Sequence, residues 1–231
     1  MIKKELVNIR TLTLQQLDEY FETIGEKKFR AKQVYEWLWQ KHAHSFAEMT
    51  NLSKELRHIL GENFTLPALT INSTQYSADG TVKSGFKTHE GHLVEGVLIP
   101  TEKRATACVS SQIGCSLSCK FCATGYIEKK RNLTFDEIYD EVVLINQQCE
   151  RIYGHKLSNI VFMGMGEPLL NYKNVLKAID KITSPDGLGM SPRRITVSTA
   201  GVAKQIKQLG DDKVKFKLAL SLHAANDKKR H

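Results

Sequence analysis

Apolar positions in the first sixty residues recur at helical intervals. In "LTLQQLDEYFETIG", Leu14, Leu17 and Phe21 share a face, and Gly25 stands where a helix ends. "FRAKQVYEWLWQKHA" sets Val34, Trp37 and Leu38 against a face of Lys and Arg, and "NLSKELRHILG" predicts a third short helix closing at Gly61. From Ala68 to Ile99 the period falls to two. Asp79-Gly80 and Glu90-Gly91 divide that stretch into short alternating runs, which predicts a small antiparallel hairpin unit.

From Arg104 onward, strand-like and helix-like runs alternate. "RATACVSS", "NIVFMG", "RRITVSTAG" and "VKFKLALSLHA" read as strands; "TFDEIYDEVVLINQQCERIYG", "YKNVLKAIDKITS" and "VAKQIKQLG" read as the helices between them. Thr134 and Glu137 form a capping box at the start of the first of these helices. Repeated βα units predict an α/β fold with parallel strands and right-handed crossovers. The expected organisation is a helical accessory domain over 1–66, the hairpin unit over 67–100, and a βα core over 101–231. Sites in βα folds collect at the C-terminal ends of the strands. The cysteine-rich stretch "GCSLSCKFCATG" follows the first strand and "GMGEP" the second. Ser198 ends the third strand, and Ser221 to His223 end the fourth. Four polar or glycine-rich features are therefore expected on one rim.

Composition adds little to the fold and more to the setting. With 41% hydrophobic residues over 231 positions, the chain can bury a real core, so its cysteines are not needed as staples for a small fold. No signal-peptide pattern and no membrane-length apolar run is present, so a soluble cytosolic protein without membrane contact is expected. Clustered thiols in that compartment point to metal binding or catalysis. The 33 basic against 25 acidic side chains give a net charge of +8, which favours a polyanionic partner.

Cys115, Cys119 and Cys122 occupy three of eight consecutive positions. One chemistry is a redox pair in "CKFC", which leaves Cys115 idle. A second is zinc, with Cys108 as a fourth thiol. A third is an iron–sulfur cluster held by three thiolates, leaving one iron open to a substrate. The C-x3-C-x2-C spacing, with Phe121 before the last cysteine, resembles the radical S-adenosylmethionine signature. "GMGEP" (Gly164 to Pro168) resembles the segment by which that superfamily holds the methionine end of S-adenosylmethionine. There glycine lets the backbone approach a ligand, and Glu167 can accept from its ammonium.

"RATACVSSQIGCSLSCKFCATG", "RNLTFDEI", "FMGMGEPLLNY", "RRITVSTAG" and "SLHAAND" together resemble the RlmN/Cfr family of radical S-adenosylmethionine RNA methyltransferases, with "GEPLLN" on the RlmN side. The resemblance covers nearly the whole chain and implies a partial (β/α)6 barrel of which about four strands are present. By resemblance, Cys115, Cys119 and Cys122 hold a 4Fe–4S cluster. Gly166, Glu167, Ser198, Ser221, Leu222 and His223 contact S-adenosyl-L-methionine. Glu95 is the proton acceptor, and Cys108 is the thiol that resolves the enzyme–RNA adduct through a disulfide bond. Cys149 has no family role. The implied reaction is methylation of adenine carbon 2 in 23S rRNA and tRNA, with a one-electron reductant protein as a further partner. The basic residues Lys27, Lys28, Arg30 and Lys32, and Lys129, Lys130 and Arg131, are candidates for RNA phosphates. Two positions depart from the family pattern: Glu128 where glycine is common, and "EGV" after Glu95 in place of "ETV". The family's methyl-carrying cysteine lies C-terminal to these motifs and no cysteine follows Cys149, so a C-terminally truncated chain is expected. A noncatalytic metal-containing RNA-binding protein, or a radical enzyme with another substrate, are the competing readings.

Overall fold

A computed structural model describes residues 6–222, 224–226 and 228. The chain divides into two compact units, Met1–Ala68 with Ser184–Gly189, and Leu69–Thr183 with Met190–His231.

In the first unit, strand β1 (Val7–Asn8) pairs in parallel with β2 (Phe64–Thr65), bracketing helices α1 (Leu14–Thr23), α2 (Lys28–Trp39) and α3 (Lys54–Asn63). Thr13 and Gln16 close a reciprocal capping box on α1, and Gly25 takes the left-handed conformation just beyond it. Ser53 caps α3 through the Leu56 N–H. Leu17, Phe21, Val34, Leu38, Trp39, Leu56 and Leu60 are buried together. Two expectations change here. Trp39, not Trp37, joins Val34 and Leu38 in the core, while half-buried Trp37 hands its indole N–H to Asn51. Helix α3 runs through Gly61 to Asn63, because the Phe64 N–H still bonds the Leu60 carbonyl and Phe64 is itself buried.

The second unit is built on one seven-stranded sheet. Strands β3 (Thr70–Tyr76), β4 (Val82–Lys87) and β5 (Leu93–Thr101) form the expected meander. Gly80 and Gly91 turn it at positive φ. β6 (Arg104–Cys108) pairs antiparallel with β5 on one side. The short strands β7 (Gln112–Ile113) and β8 (Arg131–Asn132) pair beyond it and frame the cysteine loop. Helix α4 (Phe135–Tyr153), β9 (Asn159–Phe162), α5 (Tyr172–Thr183), β10 (Ile195–Thr199), α6 (Ala203–Asp211) and β11 (Lys217–Leu220) complete the βα series. The strand order is β11-β10-β9-β6-β5-β4-β3, with β6, β9, β10 and β11 all parallel. The hairpin strands over 67–100 thus extend the same sheet as the βα units, and β6 is where pairing changes direction. The sheet is open, a partial radical SAM fold. Ile138, Val142, Ile145 and Cys149 line the buried stripe of α4, which packs on β5 and β6. The Thr134/Glu137 capping box starts α4 as the sequence predicts, and left-handed Gly154 ends it.

Candidate active site

Strand register gathers the candidate residues on one face. Lys83 pairs with Val97, Val97 with Cys108, Cys108 with Val161, and Val161 with Thr196. Directly paired residues point to the same side of a sheet, so these form one row. Two residues nearer the C-terminal rim, alternation returns Glu95 and Ser198 to that face. Glu95 is exposed and Cys108 half-buried, and Glu95 lies diagonally across from Cys108. The Lys83 ammonium lies 2.7 Å from Glu95 Oε1, with both side chains about half exposed. Such a pair stabilises the fold by at most about 1 kcal/mol; what it fixes is where the carboxylate points.

Cys115, Cys119 and Cys122 sit half-buried on the loop between β7 and β8. The loop coils on itself: the Cys122 N–H donates to the Cys119 carbonyl at 3.0 Å and the Gly125 N–H to the Cys122 carbonyl at 2.9 Å. A Cβ on Gly125 would stand 2.9 Å from the Cys119 nitrogen, so only glycine lets the loop close this tightly. Ser118 takes a positive φ at the bend between the first two thiols. Three thiols on one closed loop suit a thiolate-bound cluster. Among the described residues, no three His, Cys, Asp or Glu side chains converge as a ready-made metal group. All five cysteines are free thiols, so the expected disulfide has no counterpart here.

The Gly164–Pro168 segment follows β9 as the sequence predicts. Glu167 is buried, and both its oxygens accept backbone donors, Leu169 N–H at 3.0 Å and Ala200 N–H at 2.7 Å. It thereby ties the loop after β9 to the loop after β10, with lone pairs left for a ligand's ammonium. The glycines serve a closer neighbour than a ligand. A Cβ on Gly164 would come within 2.6 Å of Ser110 Oγ, and one on Gly166, at φ +91°, within 2.5 Å of the Gln112 side chain. Gln112 also accepts the Glu167 N–H at 2.9 Å and donates to Asn132 at 2.7 Å. Along the rim, the Ser198 and Ser221 hydroxyls bond each other at 2.9 Å, and Leu222 is exposed. His223 lies outside the described residues.

Burial pushes the Cys108 thiol up to about 11, with Glu141 adding to the rise. Glu141 is itself fully buried on α4, and desolvation drives its carboxyl well above the ordinary range. Burial alone would raise Glu137 too, but the Arg131 fork, with two 2.7 Å bonds, and donors from Thr134 leave it below that range. Arg131 also reaches Glu90 at 2.7 Å. Arg131 therefore joins the β4–β5 turn to α4. Lys130 pairs with Glu128, and Lys28 with Glu22 at 2.7 Å.

Reading the sequence missed Lys83, Ser110, Gln112 and Glu141. One signal was present for Glu141: three residues after Ile138 and one before Val142, it is a carboxylate on the apolar stripe of α4.

Comparison with known proteins identifies what the chain is similar to. Residues 7–66 match the family described as the ribosomal RNA large subunit methyltransferase N-terminal domain, and residues 109–231 match the Radical SAM superfamily. A probable dual-specificity RNA methyltransferase RlmN of Cytophaga hutchinsonii is 62% identical over 230 residues, covering 100% of this chain and 62% of the relative. The dual-specificity RNA methyltransferase RlmN of Geotalea uraniireducens is 45% identical, covering 98% of this chain and 64% of its own length. The crystal structure of a radical SAM methyltransferase from Sphaerobacter thermophilus superposes with a TM-score of 0.87 at 39% identity, covering 97% of this chain and 66% of the other. The chain thus spans a little under two thirds of the length of the relatives it matches. It belongs to the radical SAM superfamily.

Proposed function

We propose that this chain carries the cofactor-binding and base-bearing part of a radical S-adenosylmethionine methyltransferase acting on carbon 2 of adenine in 23S rRNA and tRNA. The observation that supports the reading is the shared sheet face: Glu95, Cys108 and Ser198 stand on it, and the cysteine loop and the Glu167 loop follow the C-terminal ends of β7 and β9 in the chain. When bound, a 4Fe–4S cluster with S-adenosylmethionine supplies one-electron chemistry that reaches an unactivated C–H.

The chain's own residues do the rest. Cys115, Cys119 and Cys122 ligate as thiolates. Gly166 and Glu167, with Ser198, Ser221, Leu222 and His223, hold S-adenosylmethionine. Glu95, aimed by Lys83, accepts the proton from adenine carbon 2. The base has to leave its stack to reach this face. Cys108 is the thiol assigned to product release. Since its thiol sits near 11, its thiolate has to be formed during the reaction rather than stored beforehand. The basic, aromatic-bearing α2, where Arg30 stacks on Phe29, is assigned to RNA. No helix among the described residues is long and apolar enough to cross a membrane. We place the protein in the cytoplasm, where these RNAs are made, with a one-electron reductant protein as partner.

The test is anaerobic reconstitution, followed by iron and sulfide analysis, S-adenosylmethionine binding, and detection of 5′-deoxyadenosine after reduction. One four-iron cluster per chain and cofactor cleavage are expected. Stoichiometric zinc, with no iron uptake under reducing conditions, would overturn the reading. RNA binding should weaken steeply with salt.

A further inference from the structure

Ser110, two residues past the end of β6, is fully buried and joins three elements. Its N–H lies 3.1 Å from each carboxyl oxygen of Glu141 on α4. Its hydroxyl donates to the Glu95 carbonyl at 2.7 Å and accepts the Met165 N–H at 2.8 Å. One side chain thus spans from the backbone of the proposed base to the middle of the Gly164–Pro168 loop. The surroundings are shaped to let it. A Cβ on Gly164 would press within 2.6 Å of Ser110 Oγ, and one on Gly96 within 2.6 Å of Glu141 Oε1. The "EGV" departure after Glu95 is therefore the space into which Glu141 reaches. Ionised or neutral, that carboxyl keeps an acceptor oxygen for the Ser110 N–H.

We infer that Ser110, fixed by Glu141, is a positioning residue that sets the spacing between Glu95 and the Gly164–Pro168 loop. It makes S-adenosylmethionine binding at that loop felt along β5. The inference rests on the reading of Gly164–Pro168 as cofactor-binding. The same sheet contains a matched comparison. Ser84 on β4 is equally buried and its hydroxyl bonds Gln148, also on α4, rather than Glu95 or the loop. A buried serine that merely holds the fold would behave as Ser84 does.

The experiment compares the full chain with Ser110→Ala, Glu141→Ala, Glu141→Gln and Ser84→Ala. Amide exchange is followed in the metal-free protein, and again with and without S-adenosylmethionine after iron reconstitution. Radiolabelled S-adenosylmethionine binding is measured after iron reconstitution. Ser110→Ala and Glu141→Ala should weaken S-adenosylmethionine about tenfold, the scale of one or two lost hydrogen bonds. Glu141→Gln, which keeps the acceptor, and Ser84→Ala should bind like wild type. In wild type the ligand should slow exchange across Leu93–Thr101, and that response should vanish in Ser110→Ala and Glu141→Ala. Wild-type affinity and response in Ser110→Ala would overturn the inference. So would an equal loss in Ser84→Ala, which would make the effect one of general stability. If wild type itself binds no S-adenosylmethionine, the cofactor reading of the loop falls, and with it the link along β5. Faster Met165 exchange in Glu141→Ala but not in Ser84→Ala would then still support the joint as a purely mechanical one, and unchanged exchange would overturn that too.

Discussion

The two loops at the rim of the sheet are held in opposite ways. The Gly164–Asn171 segment is anchored on every side. Met165 bonds Ser110, Ser111 and Gln112 through its N–H and carbonyl; Glu167 bonds Ala200; and Asn171 donates to the Ser111 and Leu133 carbonyls at 2.8 and 2.7 Å. The cysteine loop mostly bonds itself, and its Phe121 and Tyr126 are 68% and 76% exposed. The contrast teaches that the protein's own packing fixes the Gly164–Asn171 loop. It leaves the thiol loop to be finished by what the thiols bind, since metal binding and local order are coupled.

The largest effect expected from that contrast is complete. Replacing Cys115, Cys119 or Cys122 by Ala should abolish iron loading while leaving the melting temperature of the metal-free chain nearly unchanged. Cys149→Ala should load iron normally. A large fall in metal-free stability for the loop variants would mean that the loop is built into the fold after all.

On the anchored side, Arg131→Met should cost about 3 kcal/mol, because it strands the Glu137 carboxylate, whose side chain is only 9% exposed. The sign with pH follows. A carboxyl held below its ordinary range stabilises the fold above that range, and the gain is lost as pH falls through its folded value. The gap between wild type and Arg131→Met in urea unfolding should therefore narrow in acid. Gly166→Ala should cost about 2 kcal/mol, through a strained positive φ and collision with Gln112, and should weaken S-adenosylmethionine more than it weakens iron loading.

How far the sequence reveals these features depends on distance along the chain. The Thr134/Glu137 box and the turns at Gly80 and Gly91 are local, and the residues named for them take those places. Gly61 misleads because a glycine signals a helix end only where the backbone turns left-handed, and here Phe64 and the Leu60 carbonyl carry the helix on. That Glu95 and Cys108 share a face depends on the β5–β6 register, and nothing in their spacing of thirteen residues fixes it. Glu137 is legible as a capping residue, but the Arg131 fork on the same carboxylate is a tertiary contact, invisible from periodicity.

The smallest effects sit on the open face. The Cys108 thiol, raised to about 11 from the usual 9.0 by burial, contributes stability that is complete below pH 9 and is lost as pH rises through 11. Cys108→Ala should flatten that alkaline limb of the denaturation curve. Lys83→Met should change stability by less than about 1 kcal/mol in urea unfolding.

The reversal of pairing direction at β6 has a consequence in time. Strands β3 to β6 meet through short turns, whereas β6 finds β9 only after the whole of the cysteine loop and α4 has been laid down. Low-separation contacts close quickly and parallel crossovers slowly. In pulse-labelling during refolding, amides of β4 and β5 should therefore gain protection before those of β9 and β10. The strand that carries Glu95 would already be formed while the loops after β9 and β10 are still being assembled, so this sheet face is nucleated from its antiparallel side.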